Sequence, residues 1–300
     1  MENVMNPRLK LSVITFNYGP QTNRMAEPIE FMIKFKSKWE KATLEKHLAS
    51  EHFYHSFEFT NECVVRGDWD IAKSIQAYKF PVDLIGKRVL DIGPGSGFFS
   101  FYFESLGASV TALESHGYGD FDVYGDFRYR GSENRPPDRF NGADPIWFGP
   151  VSSGFWKIFD AIESKVSWKN GKIYDVAPSL TGDEFDLVFV GSLLMHLRDP
   201  IGALRAARSV CRDLLITTIP TWVDQDETLT PMQMLPYTHI DRVSWWMPNK
   251  AALRHWLLAA GFREVDFVGG LTIYPDKEIY NTDGVRMNSE IVEQIVHARV

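Results

Sequence analysis

Three glycines, Gly93, Gly95 and Gly97, stand close together in "DIGPGSGFF" (91–99), directly after the strand-like run "KRVL". A glycine-rich turn between a strand and a helix lets backbone N–H groups approach a nucleotide closely. The dinucleotide fingerprint is G-x-G-x-x-G. Here the spacing is G-x-G-x-G, and Phe98 stands where the third glycine belongs. That bulky ring opposes the close helix–strand packing of a dinucleotide site. Asp91 places a carboxylate at the mouth of the loop, and a carboxylate suits the ammonium of an amino acid better than a pyrophosphate. Glu114, closing the run "SVTALES" (109–115), can accept hydrogen bonds from both hydroxyls of a ribose. The set points to S-adenosylmethionine rather than to a nicotinamide dinucleotide. Two histidines are candidate general bases: His196 in "LLMHLRDP" and His239 further on. An imidazole exchanges protons near neutral pH. Either ring can instead serve only to hydrogen-bond the backbone or to face solvent.

These residues need a scaffold that brings strand ends together. "KRVLDIG" reads as a strand, and a helix follows from about Ser96 to Leu106, stopped by Gly107. "SVTALES" is the second strand and "KIYDV" (172–176) the third. "FDLVFVGSLL" (185–194) is too apolar for a surface strand and suits one buried on both faces. A helix capped by Asp199 follows, then the strand "DLLITTI" (213–219) and a helix from Asn249 to Gly261. "EVDFVGG" and "LTIYP" close the sheet. Strands alternating with helices imply an α/β, doubly wound, Rossmann-like sheet. Ahead of it, 27–48 and 69–80 read as helices, so residues 1–84 form a mainly helical extension. The catalytic domain spans 85–275, and 276–300 is a tail. Segments 116–154 and 220–248 interrupt the alternation at the carboxyl ends of strands, where open α/β sheets bind ligands. Their aromatic and methionine side chains are expected to form a lid over the bound cofactor and acceptor, the alternative being that they pack on the N-terminal helices or a second subunit.

With these motifs in order, the chain resembles class I S-adenosylmethionine-dependent methyltransferases. "VLDIGPGSGFFS" looks like their first motif and "FDLVFVGSLLMHLRDP" like their fourth-strand motif. The resemblance implies cofactor contacts at Asp91, Gly93, Pro94, Gly95, Gly97, Glu114, Asp175, Val176 and Gly191, with Asp175 reading the adenine amino group. "FYHSFEF" (53–59) and "WWMPNKAALRHWLLAAGF" (245–262) are similar to the tRNA wobble-uridine carboxymethyltransferase group. That likeness implies acceptor contacts at Tyr54, His55, Arg242, Trp245 and Trp246. Adjacent strand residues face opposite ways, so one of the two tryptophans would line the pocket. Met195 stands where the group has a tyrosine that holds a carboxylated cofactor, so ordinary S-adenosylmethionine is expected.

Composition bounds the partners. A net charge of −7 gives no global basic footprint for nucleic acid. Tryptophans number 9 and phenylalanines 21, enough to line a pocket as well as fill a core. Cys63 and Cys211 lie too far apart for a zinc motif, and no spacing suggests a catalytic metal. No apolar run reaches membrane-spanning length. The expectation is a cytoplasmic enzyme, compatible with a homodimer, that methylates an oxygen or nitrogen of a small or medium-sized acceptor. The alternative is wobble-uridine modification of tRNA.

Overall fold

The computed structural model describes residues 33–49, 51–115, 122, 153–176, 180, 184–221, the backbone of 232–234, 245–277 and 290–300. Ahead of the main sheet come helix α1 (Lys41–Leu48) and the short strands β1 (Phe57–Glu58), β2 (Val64–Val65) and β3 (Trp69–Asp70). There follow β4 (Arg88–Ile92), α2 (Phe98–Ser105), β5 (Ser109–Glu114), α3 (Ser153–Ile162), β6 (Ser167–Asn170) and β7 (Phe185–Val190). The chain continues through α4 (Pro200–Val210), β8 (Cys211–Ile219), β9 (Met232–Met234) and β10 (Trp246–Pro248). It closes with α5 (Lys250–Ala260), β11 (Glu264–Pro275) and β12 (Ile291–Arg299). The main sheet has eight strands in the order β3-β11-β12-β8-β7-β4-β5-β6. β4 through β8 run parallel, and β12, β11 and β3 are paired antiparallel.

The apolar strand β7 shows why the sheet is covered twice. Leu187 and Phe189 enter one core with α2, α3 and residues 53–84. Val188 and Val190 enter the other with α4 and α5. Period-two alternation sends successive side chains to opposite faces, so both must be apolar. Helix ends follow local chemistry. Asp199 accepts from the Gly202 N–H at 2.8 Å with Pro200 in the first turn, and Asn249 accepts from Ala252 N–H at 2.8 Å. Gly261, at φ +102°, ends α5.

Four expected elements differ. Residues 33–40 are not helical: Phe35 is buried and donates its N–H to Glu58 at 2.8 Å, so core burial overrides the helical spacing and only Lys41–Leu48 coils. The run 69–80 splits into β3, which pairs with β11, and a 3-10 helix, Ala72–Tyr78. The third parallel strand is Ser167–Asn170, while Ile173–Asp175 forms a 3-10 turn. An edge strand needs no apolar run, which hid it in the sequence. The expected tail is corrected by β12, which lies between β8 and β11 and carries Ile295, Val296 and Ala298 into the two cores. No helix among the described residues is long and apolar enough to cross a membrane.

Candidate active site

The Gly-rich turn leaves β4 and reverses direction within a few residues. Gly93, Gly95 and Gly97 have φ of +76°, +54° and +88°, the left-handed region that side chains disfavour. Each glycine has a different reason. A Cβ on Gly97 would meet the rings of Phe101 and Phe155 at 2.5 and 2.6 Å, so this glycine serves packing under α2. A Cβ on Gly95 would sit 3.4 Å from both the Tyr54 and His55 rings, and one on Gly93 would sit 3.4 Å from Leu193. Those two glycines keep the turn thin between the segment 53–56 and the loop after β7. Pro94 is buried in the turn, and its carbonyl accepts from the Gly97 N–H at 2.8 Å.

Beside the turn lies a cavity of about 210 Å³. Ile92 and Gly93 form its floor, Leu113, Glu114 and Ser115 one wall, and Gly171 to Tyr174 the far end. Tyr54, Asp122 and the loop residues Leu193, His196 and Leu197 complete it. Glu114 is buried at the end of β5, and its Oε1 accepts from the Ser115 N–H at 2.9 Å. Burial raises its pKa, against the Ser115 and Gly95 donors that lower it. A buried carboxylate facing a cavity fits a ribose diol, and the thin glycine turn fits close approach of a ligand to backbone N–H groups. The donor set therefore suits S-adenosylmethionine.

The remaining expected residues fall into three groups. Asp91 is not at the mouth. Ile92 faces the cavity, so the strand pleat turns Asp91 beneath the loop, where it accepts from the Ser100 hydroxyl at 2.6 Å. Burial pushes its pKa up to about 7. Asp175 is exposed and lies outside the cavity lining, Val176 is buried in the core, and a Cβ on Gly191 would strike the Phe189 ring at 2.6 Å. Lys172, Ile173 and Tyr174, just before Asp175 in the chain, line the far end of the cavity instead. Tyr54 lines the cavity while His55 is buried behind it against Phe98 and Phe99, held neutral with its pKa down to about 3 by burial. Trp245 and Trp246 do not line the cavity. Their indole N–H groups donate to the carbonyls of Asp122 at 2.7 Å and Arg198 at 3.1 Å. His239 and Arg242 lie outside the described residues, as does most of the expected lid.

Sequence reading missed Asp122. Its carboxylate accepts from the Tyr174 hydroxyl at 2.5 Å and from the Arg198 N–H at 2.8 Å, so one residue ties the Lys172–Tyr174 end of the cavity to the loop after β7. It also missed Ser192 and Glu293, which meet behind that loop at 2.9 Å.

A family model described as a methyltransferase domain matches residues 70–266. The chain belongs to that family. The match runs from β3 into β11 and so takes in every strand that borders the cavity. Methyltransferase domains of this fold depend on S-adenosylmethionine, in agreement with the donor set. A tRNA U34 carboxymethyltransferase from Pseudomonas fluorescens strain Pf0-1 is 28% identical over 192 residues, covering 61% of this chain and 48% of that protein. One from Dichelobacter nodosus strain VCS1703A is 28% identical over 207 residues, covering 67% and 53%. The chain thus spans about half the length of these curated relatives. The crystal structure of the N-terminal domain of EvdMO1 with SAH bound has a TM-score of 0.55 at 18% identity, over 86% of this chain and 96% of that one. This methyltransferase domain therefore shares its fold with a domain of nearly matching extent.

Proposed function

We propose that this protein transfers the methyl group of S-adenosylmethionine to an oxygen or nitrogen of a small or medium-sized acceptor. One observation carries the reading: the glycine turn, the buried carboxylate of Glu114 and the His196 side open onto one cavity. Gly93 and Gly95 would lie against the amino-acid part of the cofactor, Glu114 would hold the ribose, and Lys172 to Tyr174 would flank the adenine. Asp91 supports the turn from below through Ser100. The bound cofactor supplies an already activated methyl group, so the chain mainly aligns the acceptor and excludes water. Tyr54 and Leu193, on the two sides of the turn, would set that alignment. His196 lies at the carboxyl end of β7 and would take a proton from the acceptor where the acceptor must lose one.

A second reading, wobble-uridine modification of tRNA, is favoured by the names of the curated relatives. Met195, where the resemblance places a tyrosine hydroxyl, packs on the apolar core beside α4. That packing favours ordinary S-adenosylmethionine over its carboxylated form. Calorimetry tests the main reading. S-adenosylmethionine and S-adenosylhomocysteine should bind in the micromolar range and NADH should not. Tight NADH binding without a response to either would overturn it. Native mass spectrometry of the purified protein separates the readings, since a carboxylated cofactor carried through purification would favour the second.

A further inference from the structure

Ser192 is the second residue after β7, and its φ of +49° puts a side-chain-bearing residue in the left-handed region. Left-handed conformations cost such residues free energy and persist only where surrounding contacts hold them. The contacts here come from β8 and β12. The Ser192 N–H donates to Thr218 Oγ1 at 3.0 Å, and the Ser192 hydroxyl donates to Glu293 Oε2 at 2.9 Å. The neighbouring Thr218 hydroxyl also favours the charged form of that carboxylate. The sheet register explains the meeting: Gln294 of β12 pairs with Ile219, the last residue of β8, so Glu293 stands at the carboxyl edge where β7 hands over to its loop.

Glu293 is fully buried, and its Oε1 has no hydrogen-bond partner among the described residues. A buried carboxylate is costly to the fold and calls for a reason. Its partner supplies one. Ser192 directly precedes Leu193, which touches the glycine turn, and the 3-10 turn Leu194–His196, which presents His196 to the cavity. The conformation at Ser192 therefore sets the direction of the whole loop.

We propose that Glu293, acting through Ser192 and Thr218, is a positioning residue that holds the loop 192–197 against the cofactor turn. This rests on the cavity being the cofactor site, but the mechanical part does not, so the two can fail separately.

The decisive comparison is Ser192→Ala against Ser192→Gly. Both remove the hydroxyl, and only alanine carries the left-handed penalty. In the free protein, amide hydrogen exchange of 193–197 should be faster in Ser192→Ala than in wild type and close to wild type in Ser192→Gly. S-adenosylhomocysteine affinity, by calorimetry, should fall about five-fold in Ser192→Ala, the Boltzmann weight of the left-handed penalty, and stay within about two-fold in Ser192→Gly. Glu293→Gln keeps an acceptor for the Ser192 hydroxyl and should match wild type. Glu293→Ala should behave like Ser192→Ala, and adding Ser192→Gly to it should restore the exchange pattern. If Glu293→Ala does not fold, the Ser192 pair decides. Equal behaviour of the alanine and glycine variants in exchange overturns the proposal. Absence of S-adenosylhomocysteine binding in wild type, with the exchange difference intact, overturns the cofactor reading instead.

Discussion

Replacing Glu114 by alanine isolates the contact that most defines the site. In the free protein its carboxylate already accepts from the Ser115 N–H at 2.9 Å, the Ser115 hydroxyl at 3.2 Å and the Gly95 N–H. A carboxylate offers about four lone-pair directions, so roughly one remains for a ribose, which must share it or displace the serine hydroxyl. The loss on truncation is therefore one charge-assisted contact, about 1.5–3 kcal/mol, or roughly ten- to a hundred-fold in affinity for S-adenosylhomocysteine. The fold should persist, because burial works against the charged form of this carboxyl and removing it relieves that cost. Glu114→Gln places an amide beside N–H donors and should lose affinity as well. Calorimetry at neutral pH measures the constants, and thermal unfolding checks the fold. A dissociation constant unchanged in both variants, with normal melting, would show that Glu114 does not hold the ligand.

Two further outcomes follow from the same geometry. Gly97→Ala puts a Cβ within 2.6 Å of two aromatic rings at φ +88°, so it should destabilise the protein by about 2–4 kcal/mol by overpacking and backbone strain, whereas Gly95→Ala, with neighbours at 3.4 Å, should cost about 1–2 kcal/mol; equal melting temperatures would contradict this. Asp91 has its pKa raised to about 7, so the native state favours the proton, and its contribution to stability is full below the usual aspartate range and is lost as pH rises through about 7. Asp91→Asn keeps the uncharged form at every pH. Its stability relative to wild type should therefore rise between about pH 4 and 7, by a few kcal/mol in order of magnitude. His55, kept neutral by burial, acts in the opposite sense in both proteins, so the difference between the two denaturation curves is the quantity to read. A difference that does not change with pH would refute the assignment.

The alternation of strands and helices, the glycine turn and the acid that follows it are legible in the residues alone. Those features are local. Left-handed glycines, an N-cap such as Asp199 and a strand apolar on both faces each need only their own neighbours to be recognised. The remaining features depend on long-range packing. Whether Asp91 or Ile92 faces the cavity depends on which side of the sheet it lies, and the pleat then fixes both. The strand Ser167–Asn170 carries no apolar run because it is an edge, and its place is set by pairing with β5. Trp245 and Trp246 could have lined a pocket, and their indole N–H groups instead found backbone carbonyls. Glu293 shows the limit most clearly. It sits 101 residues from Ser192 in the chain, and nothing in "IVEQIVHAR" marks it. Only the antiparallel insertion of β12 beside β8 brings that carboxylate to the edge where the glycine turn and the loop after β7 meet. A contact made through strand order has no spacing in the sequence to betray it.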